Sequence, residues 1–428
     1  MKYNITSWIV CGVLSIFIAS CTNNMLGDDP IASDVQNQNI QTRTTLMASR
    51  VISKIEAKTF AQSVYDAILR SERPGSKESR LSPLLSSFTP KVSSVFPVIN
   101  DGLATIYVVN FGEQKGFAVI SADKYAGWSL LAFNDTGFLN PDNLDSNNPF
   151  SLWLKGKSDM ILQTLKKEPS FSEKTKGDDI WGGFSNPAPG EETIVEYIGQ
   201  EQTTAEQSDM HGHHKGSKGL AAIGVYSTIR DCLWGQGTGY NANALHPGVD
   251  LAGCPAVAIG LYCKTKRFPN KYDYNNMPNT LSSSSPNPIS IMLRDIADNI
   301  PNYHWGTRAS GASPNDCHQG LLNLGFTKAK MGSYNFDIVY SNIKNLYPVL
   351  LAAFRPNGGG HIWICDGYWE QKWKITRKFL WWKIKTWYEY SDMLYMNWGW
   401  NGSGNSWIDQ EDWPNYSIQR TMYYDLHN

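Results

Sequence analysis

GVDLAGCPAVAIGLYCKTK, Gly248–Lys266, is a glycine- and alanine-rich approach, then a cysteine, then an apolar run of helical length. Pro255, directly after Cys254, suits the first position of a helix, where a missing N–H costs nothing. Cys254 is therefore expected at or next to a helix N-terminus. There the partial positive charge lowers a thiol pKa, and free N–H groups can hold an anion. A buried structural cysteine is the alternative for an isolated thiol. Three further stretches weigh against it. GGGHIWICDGY (Gly358–Tyr368) sets His361 behind three glycines at the start of a β-like run, and glycines let another backbone approach closely. YMNWGWNG (Tyr395–Gly402) sets Asn397 among indoles, and WGQGTGYN (Trp234–Asn241) sets Gln236 ahead of the cysteine. A Cys, then a His, then an Asn beside an aromatic shield is the order of a thiolate–imidazolium pair oriented by a third group. A glutamine amide upstream is a fitting oxyanion donor.

Composition is consistent with a large globular chain. In 428 residues there are 38 Lys+Arg against 39 Asp+Glu, a net charge of −1, so the basic footprint of a nucleic-acid binder is absent. With 41% hydrophobic and 18% charged residues, a sizeable core is possible and wholesale disorder is excluded. Length suggests two to three domains. Seven Cys are too few for a disulfide scaffold.

Residues 1–20 read as an export signal: Lys2, an apolar stretch from Trp8 to Ala19 too short to span a bilayer, and a close in Ile18-Ala19-Ser20-Cys21. That tetrapeptide resembles a bacterial lipobox, which makes Cys21 the expected lipidation site and the expected location the cell envelope. Residues 21–50 then read as a polar tether. Five further Cys remain (Cys232, Cys254, Cys263, Cys317 and Cys365), an odd number that leaves at least one thiol outside intramolecular disulfides.

The rest divides into two halves. In residues 51–168, Phe60, Val64, Ala67 and Ile68 recur at helical spacing. Three β-rich runs follow (Leu103–Phe111, Gly116–Ala122, Trp128–Phe133), then an amphipathic helix over Phe150–Leu165. No cluster of catalytic residue types occurs there. Residues 169–218 are polar and rich in Gly, Pro and Glu, which predicts a linker and the zone of maturation cleavage, around Lys215 or Lys218. His211, His213 and His214 within it lack a Cys, Asp or Glu pattern that would complete a closed site, so no metal is expected. Residues 219–428 carry the chemistry. Ten of the sixteen Trp fall between Trp363 and Trp413. Within that stretch, Trp369–Tyr390 alternates like a hairpin with one aromatic and one basic face, read as a sheet extension or as a docking surface.

The segments WGQGTGYN, LAGCPAVAIG, GGHIWICDGY and MNWGWNGSG, in that order, resemble the streptopain family of secreted bacterial cysteine proteases. Gly116–Phe133 (GFAVISADKYAGWSLLAF) resembles that family's pro-domain. The resemblance implies an α+β chain: a papain-like cysteine protease domain preceded by a separate α/β pro-domain. It implies Cys254 as nucleophile, His361 as base and later acid, and Asn397, or its neighbour Trp398, orienting and shielding the imidazole. It also implies Gln236 with the Cys254 N–H at the oxyanion, Gly360 against the substrate backbone, and Ser310 in the specificity pocket. Peptide hydrolysis through a thioester acyl-enzyme needs no cofactor. The implied partners are protein or peptide substrates and the chain's own pro-domain as inhibitor, with the membrane reached only through the lipid. A catalytically silent binding module and a Cys-His amidase acting on cell-wall peptides are the alternatives.

Overall fold

In a computed structural model the chain is described over residues 45–71, 90–185, 189–198, 225–226, 231–356 and 358–428. The export signal, Cys21, most of the tether and the histidines of residues 211–214 lie outside these residues, as do Lys215 and Lys218. Residues 47–428 form one compact unit.

The expected elements of the first half are present. Helix α1 is Lys54–Ser71. Strands β1 (Val92–Asn100), β2 (Leu103–Phe111), β3 (Phe117–Ser121) and β4 (Leu130–Asn134) form an antiparallel meander. Helix α2 is Pro149–Leu165, started by Asn148, whose side chain accepts from the Phe150 N–H, and by Pro149 at its first turn.

The polar stretch beyond residue 168 is more structured than a linker. Helix α3 (Phe171–Trp181) opens on a capping box in which Ser170 and Glu173 satisfy each other's backbone N–H groups. Strand β5 (Glu191–Tyr197) pairs along its length with β9. The described part of this region is therefore folded to Ile198, and residues 199–218 lie outside the description.

The second half supplies β6 (Val225–Tyr226), then helices α4 (Cys254–Lys266), α5 (Pro288–Asn299) and α6 (Pro314–Asn323). Strand β7 (Lys330–Ser333), helix α7 (Phe336–Lys344), and strands β8 (Val349–Phe354), β9 (Gly360–Phe379), β10 (Trp382–Asn397), β11 (Ser406–Asp409) and β12 (Ile418–Tyr424) complete it. The Trp-rich stretch is a hairpin extension as expected, β9 against β10 from Ile364/Asn397 out to Phe379/Trp382.

The two halves share one sheet. Its order is β1-β2-β3-β4-β11-β10-β9-β8-β12-β7, and the free side of β9 takes β6 and β5 beyond β8. The seam is β4 against β11, with Phe133 opposite Trp407 and Ala132 opposite Ile408. The first half, expected as a separate pro-domain, is thus a separate stretch of sequence but not a separate sheet. Backbone hydrogen bonding at the β4 edge makes them continuous.

The cores follow from that sheet. One, under α4, α5 and α6, is built only from the second half, including Ile362 and Ile364 on one face of β9. The other two are mixed. Phe60, Val64 and Phe133 pack with Trp369, Trp373 and Trp407; Phe150 and Trp153 pack in one cluster with Trp363, Trp398 and Trp413. This accounts for the tryptophan crowding: six of the ten indoles between residues 363 and 413 are fully buried in these mixed cores. It also explains the burial along β9, where residues 361–369 are covered on both faces, as the continuous apolar run of a central strand requires.

Candidate active site

Cys254 is the first residue of α4, as Pro255 predicts. The helix enters through Gly253 at φ +89, a left-handed conformation that side chains rarely adopt. A Cβ at this position would overlap the Tyr303 hydroxyl and stand 2.7 Å from the Ser310 carbonyl oxygen. That hydroxyl donates to the Ala252 carbonyl at 2.6 Å, fixing the chain just before the cysteine. Gly253→Ala should therefore cost about 2–3 kcal/mol of stability through combined strain and overlap. A denaturant midpoint unchanged from wild type would show that the approach to Cys254 is not held in this way.

His361 follows a loop closed by an Arg355 N–H bond to the Gly359 carbonyl. It sits at the start of β9, opposite Ala353 on β8. Its ring is buried in an aromatic box. It lies parallel to Trp363, with centroids 5.9 Å apart, and within 6.4 Å of Trp398, Trp400 and Tyr416. Nε2 meets the Trp398 backbone carbonyl at 2.9 Å.

Cys254 and His361 line one cleft of about 330 Å³. Gly360 and Ser310 line it as well, together with Ala312, Cys317, Ile362 and Tyr423. The Ser310 hydroxyl is engaged within its own loop, accepting from the Gly306 N–H at 2.9 Å and placed 3.2 Å from the Gly306 carbonyl. It thus shapes the wall more than it offers a polar group to a ligand. Helix α6 starts beside it at Pro314, capped by Ser313 as the sequence suggests.

Asn397 takes a different place from the one expected of an orienting amide. It is fully buried, donates to the Cys232 carbonyl at 3.0 Å, and accepts from the Gly399 N–H at 3.2 Å. The contact to the imidazole comes instead from the next residue's main chain, the Trp398 carbonyl. Asn397 supports the bend that aims this carbonyl. Gln236 is also buried, and its backbone carbonyl accepts from the Ala252 N–H at 2.8 Å, which ties its segment to the approach of Cys254. Neither Gln236 nor Asn397 lies in the cleft wall.

The loop that presents Trp398 is held from the first half. Trp398 N–H donates to Asn405 Oδ1 at 3.0 Å, and the Asn405 carbonyl accepts from the Asn134 side chain at 2.9 Å. Asn148 donates to the Ser403 hydroxyl at 2.9 Å, and Gly404 lies so close under Phe150 that a Cβ there would overlap the ring.

Charge in the cleft runs opposite to the expectation for a helix N-terminus. Burial pushes the Cys254 thiol up to about 11, outweighing hydrogen bonds from the Ile362 and Cys254 N–H groups that pull it down. Burial also pushes the His361 imidazole down to about 4, against the raising effect of the Trp398 carbonyl; nearby Arg355 adds to the lowering. In this chain both groups are neutral at pH 7. With a pKa near 11, about one thiol in 10⁴ is ionised there. Alkylation of Cys254 by iodoacetamide in the uncleaved chain should be slow at neutral pH and rise about tenfold per pH unit toward 11. Rapid labelling with a plateau below pH 7 would overturn this assignment of the neutral pair.

Among known proteins, the Peptidase C10 family model matches residues 262–408, a span that holds His361, Asn397 and Trp398 and begins eight residues after Cys254. Over that span the chain is similar to this family, the streptopain family of cysteine peptidases. A second family model, described as Spi protease inhibitor, matches residues 49–160, the stretch with α1 through most of α2. In fold, the chain is similar to a fragment of Prevotella intermedia prointerpain A at 19% identity and TM-score 0.50, covering 78% of this chain and 99% of that one. Active interpain A cysteine protease from the same organism matches at 20% identity over 48% of this chain and 95% of its own, with a TM-score of 0.38. No curated protein matches the chain. The matches support a cysteine peptidase with a propeptide, in the α+β organisation expected from the motifs.

The cleft also contains residues that the sequence reading passed over. Cys317 and Tyr423 carry no motif. Only their packing against the α4 N-terminus and β8 gives them a place at the cleft, and residue type alone could not have supplied that.

Proposed function

We propose that this chain is the latent precursor of an endopeptidase that cleaves protein substrates through Cys254 and His361. The observation that carries the reading is the shared cleft, with the cysteine at the start of α4 and a histidine whose Nε2 is engaged by the Trp398 carbonyl. With Nε2 so engaged, Nδ1 is the nitrogen left to exchange a proton. His361 takes the thiol proton as Cys254 sulfur attacks the scissile carbonyl, then returns it to the leaving amine. A thioester forms and water hydrolyses it. At the first turn of α4, the Cys254 backbone N–H is the donor assigned to the developing oxyanion. Gln236 lies outside the cleft wall here and becomes the second donor only once maturation brings its amide to the cleft. Gly360, exposed at the cleft edge, offers its main chain to a substrate strand.

Latency fits the neutral thiol and imidazole, because a pair without charge is a poor nucleophile. Maturation would cut within residues 199–224, between the last described residue of β5's segment and β6. Before that, export would remove residues 1–20 and leave an acylated Cys21 as the membrane anchor in the envelope. No helix among the described residues is long and apolar enough to cross a membrane. The test is to label the matured protein with an epoxide inhibitor of thiol proteases and map the modified peptide. Label on Cys254 that disappears with His361→Ala supports the pair. Label on Cys232, Cys263, Cys317 or Cys365, with Cys254 untouched, excludes it.

A further inference from the structure

The far end of the β9–β10 hairpin has no part in the cleft. At about 3.3 Å per residue, its turn at Leu380 and Trp381 lies roughly 60 Å along the strand from His361. Phe379, Leu380, Trp381 and Trp382 there present a contiguous apolar end, with Ile384 just behind it. Trp381 is 76% and Trp382 66% exposed, and Phe379, Leu380 and Ile384 are each about half exposed. Large exposed apolar groups gathered in one place mark an interaction site.

The side chains behind this end are layered along the ribbon axis. Phe379 and Trp382 form the last rung, and Lys378 and Lys383 form the rung behind it; β5 adds Glu191 beside Phe379 and Glu192 beside Lys378, so Lys383 is the lysine away from the acidic edge. Farther back, Arg377, Lys385 and Lys374 are ion-paired to Glu191, Asp179 and Glu196. Lys378 and Lys383 form no ion pair among the described residues. Behind these again stand the exposed rings of Tyr388 and Tyr390, with the Lys372 ammonium 5.5 Å from each.

We infer that this tip inserts into the interface of an anionic lipid bilayer. Indoles favour the headgroup level, and lysines just behind an apolar tip reach anionic headgroups while their stems stay in apolar surroundings. Near the tip β9 is paired on both sides, by β10 and by β5, so only the outer edge of β10 brings unpaired backbone groups to the hydrated headgroup level. A protein groove would call for an apolar stripe along one face of the ribbon. Here the apolar residues come from both strands and the turn, and all but Ile384 stand at or beyond the last rung, ahead of the lysines. The inference depends neither on acylation of Cys21 nor on the roles of Cys254 and His361.

The test uses the chain from Thr22 onward, which has no acyl chain and keeps the compact unit of residues 47–428. Its cosedimentation is measured with vesicles of phosphatidylcholine alone and of phosphatidylcholine mixed with phosphatidylglycerol. Binding to the mixed vesicles is expected, weakened by salt. Trp381→Ser/Trp382→Ser should lower the partition coefficient about tenfold or more, and Lys378→Glu/Lys383→Glu by a similar factor. Both variants should keep the wild-type melting temperature, since the tip contributes to none of the three cores. Absence of binding to mixed vesicles overturns the inference, and so does binding that both variants retain in full. If the wild-type tip fails to bind lipid and instead crosslinks to one envelope protein, the surface is a protein-docking site and the lipid reading is wrong.

Discussion

Cys254→Ser should abolish peptide hydrolysis by the matured enzyme, with kcat falling on the order of 10⁵-fold or more. A serine hydroxyl does not ionise near neutral pH, and among the described residues His361 sits in a box of rings with no carboxylate partner that would strengthen it as a base. The substitution is nearly isosteric at the first position of α4, so circular dichroism and melting temperature should be unchanged. His361→Ala should be comparably damaging, and the double variant no worse than either single one, because nucleophile and base act as a unit. The variants must be matured by added wild-type enzyme so that absence of activity is not absence of cleavage. A folded, matured Cys254→Ser protein that hydrolyses peptides at the wild-type rate would remove Cys254 from the mechanism.

What could be read from sequence was what residue type and spacing encode. Pro255 placed Cys254 at a helix start, and the period of Phe60, Val64, Ala67 and Ile68 gave α1. Alternation along residues 373–387 gave the hairpin, and its buried face proved to be the aromatic one, with Trp373 and Ile375 packed into a mixed core. The group that engages His361 could not be read, because a backbone carbonyl has no signature of its own. The Asn397 amide is the residue type that suggests itself, yet the bend after β10 turns it toward Cys232. The charge state of the pair was also hidden. A helix N-terminus lowers a thiol pKa, but the depth of burial that outweighs it depends on packing from distant segments. The polar stretch after residue 168 did contain a usable signal, the Ser170…Glu173 capping box, and composition obscured it. The β4–β11 seam joins residues more than 270 positions apart, and no local pattern announces such a pairing.

That seam governs the second large effect, the onset of activity. A cut within residues 199–224 should not by itself release the first half. Its strands hydrogen-bond to β11, and its apolar side chains form two cores jointly with the peptidase half. The part-buried Lys157–Asp412 ion pair adds a polar clasp. Asn134 and Asn148 meanwhile hold the loop whose Trp398 carbonyl contacts His361. The nicked protein should therefore elute as one species on size exclusion and remain nearly inactive. Activity should appear only as the first half is itself degraded or stripped off by mild denaturant. Cys254→Ser should accumulate as the uncut precursor if cleavage is self-catalysed. The isolated segment 51–168, added at micromolar concentration to the matured enzyme, should inhibit it. Extending the segment to residue 198 should improve inhibition about tenfold or more, because α3 and β5 then bring Trp181 and Val195 to cover Trp373 and Ile375. Full activity in a nicked chain that still elutes as one species would mean that the first half does not restrain the cleft. Two separate species directly after the cut would mean that the shared sheet does not hold the halves together.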